Sequence, residues 1–411
     1  MGSTTARLSE PTVLAHAKQR LFPDDDGYAV VDTQFSSDRW LASRAIDAEV
    51  KESLSPFNHV QVGSGYPDLV GARLLDEDLL EMGRVGDEPP LVVVEAKGDT
   101  EHGGADVEQG IVQAHDRLQE ANVAYVAAPT ATVSQSAGML ARELNVGLLG
   151  VSPDGSVDPL EIPRLVGNRT TTETTAIRFQ ASAQGVADRS FGLNHPKNYL
   201  AYPLALYHPG PTDRMLSENV VRAVSEAKNG ATFLNLVDGR PDSIRLTPLG
   251  RDVVRFAHRE YGSVDAALRK FDEWKRSRER FCDLAPRWGM LTRQVVSAYP
   301  ATRFLVEEIQ NMHDLGVRKP TLPQLVEHLH EHHPSFTVEL FVRGRDDIRS
   351  RVLNADGELQ MGPLSNGSTY YSPTVFQLKA ILYHAGIVTE RGAEPSNLDP
   401  TVDVWALREP I

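Results

Sequence analysis

One cysteine, Cys282, occurs in 411 residues. Neither an internal disulfide framework nor a cysteine-rich zinc site is therefore open to the chain. No apolar run approaches the roughly 18 residues that a membrane-spanning helix needs. The opening Met1-Gly2-Ser3-Thr4-Thr5-Ala6 has no hydrophobic leader, and Ala6 stands where a myristoylation pattern requires Ser or Thr. These absences make a cytoplasmic protein the expectation. Lysine is scarce as well, 9 of the 42 basic residues against 33 arginines. Beside abundant acids, that balance looks like halophilic adaptation or a high-GC genome. A surplus of positive charge is also missing. The 56 acidic and 42 basic side chains give a formal charge of −14. Bulk-charge coating of nucleic acid and a basic membrane-surface role are both disfavoured.

What is present is ordinary globular material, 41% hydrophobic and 24% charged. At about 100–200 residues per domain the length predicts two to four domains. The charge is uneven: residues 1–160 hold 26 acidic and 11 basic side chains, net −15, and residues 161–411 hold 30 and 31, net +1. The predicted layout is an α/β domain over 1–160, an irregular Thr- and Gly/Ser/Asn-rich linker over 161–205, a winged-helix-like domain over 206–268, and a helical domain over 269–411 that is again winged in part.

Local patterns support this layout. Residues 8–21 read as a helix capped by Ser9, with Pro11 early, where its missing N–H costs little. Two strands, Tyr66–Leu75 and Pro90–Lys97, face each other across an acidic connection. A helix over 105–121 puts Val107, Ile111, Ala114 and Leu118 on one face. A strand at Val123–Ala128, a helix near 132–144 and a strand at Val146–Val151 complete a mixed sheet flanked by helices. Beyond it, a helix over 217–229, strands Thr232–Val237 and Ser243–Leu246, and a helix from Thr247 follow the order of a winged helix. Helices over Thr321–His332 and Ser372–Ala385 suggest a second such cadence.

The chemistry concentrates in the paired strands. Asp68 opens the first, and Glu95 and Lys97 close the second, two apart and so on one face. Ionised groups beside a buried run need partners. A Mg²⁺ ion satisfies carboxylates while keeping positions for water and phosphate oxygens, and it lowers the pKa of a bound water. An Asp68–Lys97 pair alone would read as a structural ion pair between strands; Glu95 and the following helix favour a site.

Pro67-Asp68 followed by Glu95-Ala96-Lys97 resembles the PD-(D/E)xK nuclease superfamily, the restriction-endonuclease-like fold. Gly110-Ile111-Val112-Gln113 is similar to the helix that many members set beside the site. The resemblance covers roughly residues 8–155. It implies metal ligands at Asp68, Glu95 and the Ala96 carbonyl, with Mg²⁺ or Mn²⁺ as cofactor. Lys97 would be catalytic, with Gln113 as a helper. Relatives often add a glutamate from the first helix, for which Glu10 is the candidate.

Other motifs are weaker. His328 and His332 stand one helical turn apart, a spacing that binds transition metals, but no third ligand is evident and a solvated helix end is the favoured reading. His102 and His115 flank the site as surface residues, and Gly103-Gly104 lacks the spacing and lysine of a phosphate loop. Residues 269–293 are densely basic, with Phe271, Trp274 and Phe281 interleaved. A phosphate-contacting helix and a charged interdomain helix are equal readings. Lys275, Arg276 and Arg278, with Arg245 and Arg251 around the wing, are the nucleic-acid-binding candidates.

The resemblance thus implies a Mg²⁺-dependent deoxyribonuclease acting on double-stranded DNA, in restriction or defence, with C-terminal modules positioning the duplex or a partner protein. A homodimer is expected, since cutting both strands usually takes two active sites. The rivals are a repair or recombination nuclease, and a non-catalytic DNA-binding regulator or defence-complex subunit.

Overall fold

Ser9 starts the first helix as its sequence position suggests. Its side chain accepts from the Thr12 N–H, and α1 (Glu10–Leu21) then buries Val13, Leu14, Ala17 and Leu21. In the computed structural model the described residues are 7–23, 27–36, 48–80, 89–99, 105–166, 189–239, 243–274, 277, 279–354 and 357–410. They fall into two units, Met1–Val186 with His330–Phe336, and Ala187–Leu329 with Thr337–Ile411.

The first unit continues with β1 (Tyr28–Val31), α2 (Ala48–Leu54), β2 (Leu69–Ala72), β3 (Leu91–Ala96) and α3 (Val107–Arg117). It then runs through β4 (Val123–Pro129), α4 (Gln135–Leu144), β5 (Gly147–Val151) and β6 (Val157–Glu161). The six strands lie side by side in chain order. β3–β4 and β4–β5 are parallel, joined by helical crossovers, and the remaining pairs are antiparallel. Alternation splits β3 between two cores. Val92, Val94 and Ala96 pack with α1, and Leu91 and Val93 pack with Val107, Ile111 and Ala114 of α3. All six β3 residues are buried. At about 1.5–3 kcal/mol per large apolar side chain, this strand fixes the sheet and with it the direction of Glu95.

Three elements of the first unit have no counterpart in the sequence reading: β1, α2 and β6. β1 is four residues long, and β6 alternates half-buried and exposed positions around Pro159 at the sheet edge, the place where proline is tolerated in a sheet.

The second unit is mainly helical. It opens with α5 (Pro196–Tyr207), α6 (Thr212–Asn219) and α7 (Val224–Phe233), then a hairpin of β7 (Val237–Asp238) and β8 (Arg245–Leu246). There follow α8 (Pro248–Tyr261), α9 (Val264–Glu273), α10 (Phe281–Leu284), α11 (Pro286–Ser297), α12 (Pro300–Asp314) and α13 (Leu322–His332). The chain closes with α14 (Pro334–Phe341), α15 (Asp346–Val352), α16 (Met361–Leu364) and a π-helical run, Pro373–Leu378, leading into α17 (Lys379–His384). Thr247 caps α8 as its Thr-Pro signature predicts, Oγ1 accepting from the Gly250 N–H at 3.0 Å.

Several local expectations are corrected. The stretch predicted to be irregular through residue 205 contains α5, a helix buried along most of its length although Pro203 lies within it. The helix expected over 217–229 is broken: the Leu216 carbonyl accepts from both Val220 and Val221, and the chain turns before α7. The strand expected from Thr232 is the end of α7, leaving Val237 and Asp238 to pair with β8. In the basic stretch, Phe271, Phe281 and Trp288 are core residues. Trp288 sits edge-on to Phe271 at 4.9 Å and donates to Tyr261 Oη at 3.0 Å.

One ion pair among the described residues of this unit is buried with its lysine fully enclosed. Lys379 is 0% exposed; its Nζ lies 2.7 Å from Asp403 Oδ1 and 4.9 Å from the Trp405 ring centre. Trp405 Nε1 donates to the other Asp403 oxygen at 2.8 Å. Removing one member of such a pair costs about 3–5 kcal/mol, whereas an apolar replacement of both is far milder. Asp403→Leu is therefore expected to lower stability by about that amount, with Lys379→Met/Asp403→Leu recovering most of it. Urea denaturation followed by tryptophan fluorescence checks this; a double variant as unstable as the single one would refute it.

Candidate active site

The register of β2 on β3 assembles the site. Leu69 pairs with Val94 in an antiparallel ladder, so one step further along brings Asp68 opposite Glu95. Parity then puts both carboxylates on the α3 face of the sheet, the face of Val70 and Val93. Each is about 5% exposed.

Asp68 is held from two sides. Oδ2 accepts from the Ala96 N–H at 2.6 Å and Oδ1 from Gln34 Nε2 at 3.0 Å. Glu95 Oε1 accepts from Arg117 Nε at 3.3 Å, and Arg117 Nη1 donates onward to the Val62 carbonyl at 3.1 Å. Glu95 Oε2 has no hydrogen bond among the described residues. Burial, then the Glu95 charge, raises Asp68 well above the usual carboxylate range, although the Ala96 N–H opposes this. Burial also raises Glu95, against the pull of Arg117 and Lys97. Glu10 adds to the rise at both groups, so the first-helix glutamate belongs to the same electrostatic cluster.

Two glycines make the close approaches. A Cβ on Gly98, just past β3, would meet the Glu10 backbone nitrogen at 2.2 Å, so only glycine lets the start of α1 reach the strand end. A Cβ on Gly110 of α3 would lie 3.0 Å from Lys97 Cε; the bare backbone gives the lysine stem its channel. Lys97 is half-buried. Its charge is felt by both carboxylates, yet among the described residues no carboxylate lies within ion-pair distance of Nζ. The alternative of a structural Asp68–Lys97 bridge is thus not realised. One helical turn after Gly110, Gln113 has its Oε1 buried with no hydrogen-bond partner among the described residues.

The site therefore gathers Asp68, Glu95 and Lys97, with Ala96 through its N–H and Glu10 through its field; Gln113 lies on α3 between Gly110, which faces the Lys97 stem, and Arg117, which holds Glu95. Sequence reasoning missed Gln34, Arg117, Asp32 and His59. Asp32 lies behind Asp68: its N–H donates to the Asp68 carbonyl at 2.9 Å, and its Oδ2 is 2.9 Å from His59 Nδ1. His59 stacks on Tyr66 with ring centres 3.6 Å apart. Only Arg117 left a signal, since it follows Gln113 by four residues on one helix face.

The outlying candidates go elsewhere. His328 Nε2 is 3.1 Å from Glu308 Oε2, while His332 stacks on His59 with ring centres 5.7 Å apart, so they do not form a metal pair. His115 Nδ1 is 2.8 Å from the Leu144 carbonyl oxygen. Arg245 is exposed and pairs with Asp238 at 3.2 Å, and Arg251 Nη2 donates to the Leu246 carbonyl at 3.2 Å. Lys275, Arg276, Arg278, His102 and Gly103-Gly104 lie outside the described residues. No helix among the described residues is long and apolar enough to cross a membrane.

No protein-family model, curated protein or solved structure matches the chain. The chemistry must be read from the side chains themselves. Two desolvated carboxylates, Asp68 raised further by the Glu95 charge, stay raised although Lys97 opposes the rise at both and Arg117 at Glu95, a condition that a divalent cation would relieve. Among the described residues no group of three or more His, Cys, Asp or Glu side chains is gathered for a metal. Two carboxylates leave the other ligand positions to main chain, water and phosphate oxygens, as Mg²⁺ prefers.

The raised Asp68 pKa has a stability consequence. A carboxyl whose folded pKa exceeds its unfolded value of about 3.9 imposes no penalty below that value and a growing one as pH rises toward the folded pKa. Asp68→Asn is expected to raise the melting temperature at pH 7 in chelator, by roughly 2–4 °C per kcal/mol relieved. The gain should vanish near pH 4. Thermal denaturation of both proteins across pH checks this, and a variant that melts lower at pH 7 would exclude it.

Proposed function

We propose that the first unit is a divalent-metal-dependent nuclease module of the PD-(D/E)xK type that hydrolyses phosphodiester bonds of double-stranded DNA, and that the second unit supplies the grip on the duplex. The observation that carries this reading is the placement of Asp68 opposite Glu95 on adjacent antiparallel strands, with Lys97 following on the same face. The element order supports it too: a helix, three antiparallel strands, a helix and a parallel strand is the order expected of the restriction-endonuclease-like fold.

In this reading Asp68 and Glu95, with the Ala96 carbonyl, would hold Mg²⁺ or Mn²⁺, which when bound would supply an activated water and offset charge on the phosphoryl oxygens. Glu95 Oε2 is the carboxylate oxygen left open for that role. Lys97 places its ammonium at the phosphate and the attacking oxygen, with its stem steadied along Gly110. Gln113 offers its unpartnered Oε1 as an acceptor that orients a water proton. Arg117 holds Glu95 in place. Gln34 and the Ala96 N–H do the same for Asp68, so that the carboxylates do not reorganise during the reaction.

In the second unit, α6, a tight turn and α7 are followed by the β7–β8 hairpin. That order supports a winged-helix reader with Arg245 and Arg251 beside its wing, where phosphate contacts give affinity and register rather than sequence choice. A nuclease joined to a reader fits restriction or defence, a setting that rests on analogy.

Supercoiled plasmid incubated with Mg²⁺ or Mn²⁺, at moderate and high salt, is expected to be nicked or linearised, and chelator to abolish this. Asp68→Ala and Lys97→Ala should each lower the rate by about 100-fold or more. Cleavage that survives in both variants would refute the site. DNA binding without cleavage under every metal condition would instead favour the regulator.

A further inference from the structure

Beside Asp68 stands a group of rings that the proposed hydrolysis does not use. One step past the paired Val31 and Leu69, the register brings Asp32 opposite Asp68, and the Asp32 N–H donates to the Asp68 carbonyl at 2.9 Å. Val30 shares the α3-side core with Val70 and Val93, so parity puts Asp32 on that face as well. Asp32, Asp68 and Glu95 therefore form a row across three neighbouring strands, which lie about 4.7–4.9 Å apart. His59 stands at the Asp32 end of the row. Its Nδ1 is 2.9 Å from Asp32 Oδ2 and 3.3 Å from Thr33 Oγ1; since a carboxylate only accepts, that nitrogen carries the proton. The His59 main-chain N–H donates to His333 Nδ1 at 3.2 Å. Ring and backbone are thus both tied down.

Tyr66 lies on this fixed imidazole, with ring centres 3.6 Å apart and planes 22° apart. It is nonetheless 43% exposed. Among the described residues its ring meets no other aromatic, and its hydroxyl makes no hydrogen bond. The tyrosine is held by one face alone. Its place is set by the chain: buried Pro67 follows it and favours an extended backbone at Tyr66. Asp68 comes next, so the Tyr66 and Asp68 Cα atoms are at most about 7.6 Å apart.

An exposed flat ring, backed by a second ring that is oriented by a carboxylate, is a surface prepared for stacking. The inference about what stacks there rests on the nuclease reading, in which the phosphodiester lies against Asp68 and Glu95. The part of the substrate nearest Tyr66 is then the sugar and base of an adjoining nucleotide. Every base has a π-face, and aromatic side chains hold bases by it with little regard to sequence. A base offers that face only after it has left its own stack.

We propose that Tyr66, seated on His59, is a stacking platform for an unpaired nucleobase next to the scissile phosphate. The nuclease site would accordingly act where the strand is single or the duplex is opened.

Fluorescence anisotropy of the full chain with an end-labelled single-stranded oligonucleotide, in Ca²⁺ to offset the row of carboxylates, is expected to show saturable binding. Tyr66→Ala removes an exposed ring without opening a core and should weaken binding about tenfold, whereas Tyr66→Phe, which keeps the ring, should stay within about twofold. On a strand of abasic residues with the same number of phosphates, wild type and Tyr66→Ala should bind alike. A duplex carrying one unpaired base separates the sources: sensitivity to Tyr66→Ala there would name an opened duplex as substrate, and sensitivity confined to the single strand would name the latter. Absence of saturable binding, Tyr66→Ala binding as wild type does, Tyr66→Phe as weak as Tyr66→Ala, or an equal loss on the abasic strand would overturn the proposal. Metal-dependent plasmid cleavage is a separate readout. Tyr66-dependent binding without any cleavage would sink the nuclease reading alone, and cleavage with binding indifferent to Tyr66 would sink the platform alone.

Discussion

Two buried carboxylates side by side are the constraint around which the first unit is arranged. Nothing in an apolar sheet favours Asp68 facing Glu95, and the Glu95 charge adds to the cost of taking Asp68 from water. The neighbours compensate only in part. Gln34 and the Ala96 N–H take the Asp68 oxygens, Arg117 takes one Glu95 oxygen, and Glu10 makes matters worse for both. The apolar length of β3 and its two cores hold the arrangement against this repulsion. Stability supplied by Val92, Val93 and Val94 thus maintains a charge imbalance that the unit would otherwise relax.

How much of this was legible depended on the range of the signal. The β3 run, the Ser9 and Thr247 caps and the face of α3 are written in contiguous residues, and they appear at or near the expected positions. The Asp68–Glu95–Lys97 group was legible because strand parity is a local rule and the pairing of two adjacent strands is the simplest topology. Gln34 was not legible: it reaches Asp68 from the 3₁₀ turn Thr33–Ser36 after a four-residue strand that leaves almost no pattern. α5 was hidden for a different reason. Buried nearly all round, it shows no amphipathic period, and its tyrosines and prolines resemble a loop. The aromatics of 269–293 were visible, but their direction was not, because burial among Phe271, Trp274, Phe281 and Trp288 depends on helices that meet only in the fold.

The charge asymmetry of the sequence takes on a sharper meaning. The surplus of acid over residues 1–160 is far larger than the two or three carboxylates of the site, so most of it is surface. The second unit differs: its net charge is near zero, and acids within it are taken up in pairs such as Asp403 with Lys379 or Glu308 with His328. Net charge describes how a chain behaves toward bulk ions. The local arrangement of donors decides what it recognises.

The narrow fit between Lys97 and Gly110 carries one more consequence. The lysine is positioned by the shape of the helix beside its stem, not by an ion pair at its tip. An ammonium steered by its head group would have to abandon one partner before greeting another. Among the described residues the ammonium is uncommitted, so an anion reaching it would meet a cation that has no bond to break. The missing methyl of a glycine on a neighbouring helix would thereby keep a charged group ready without an exchange of partners.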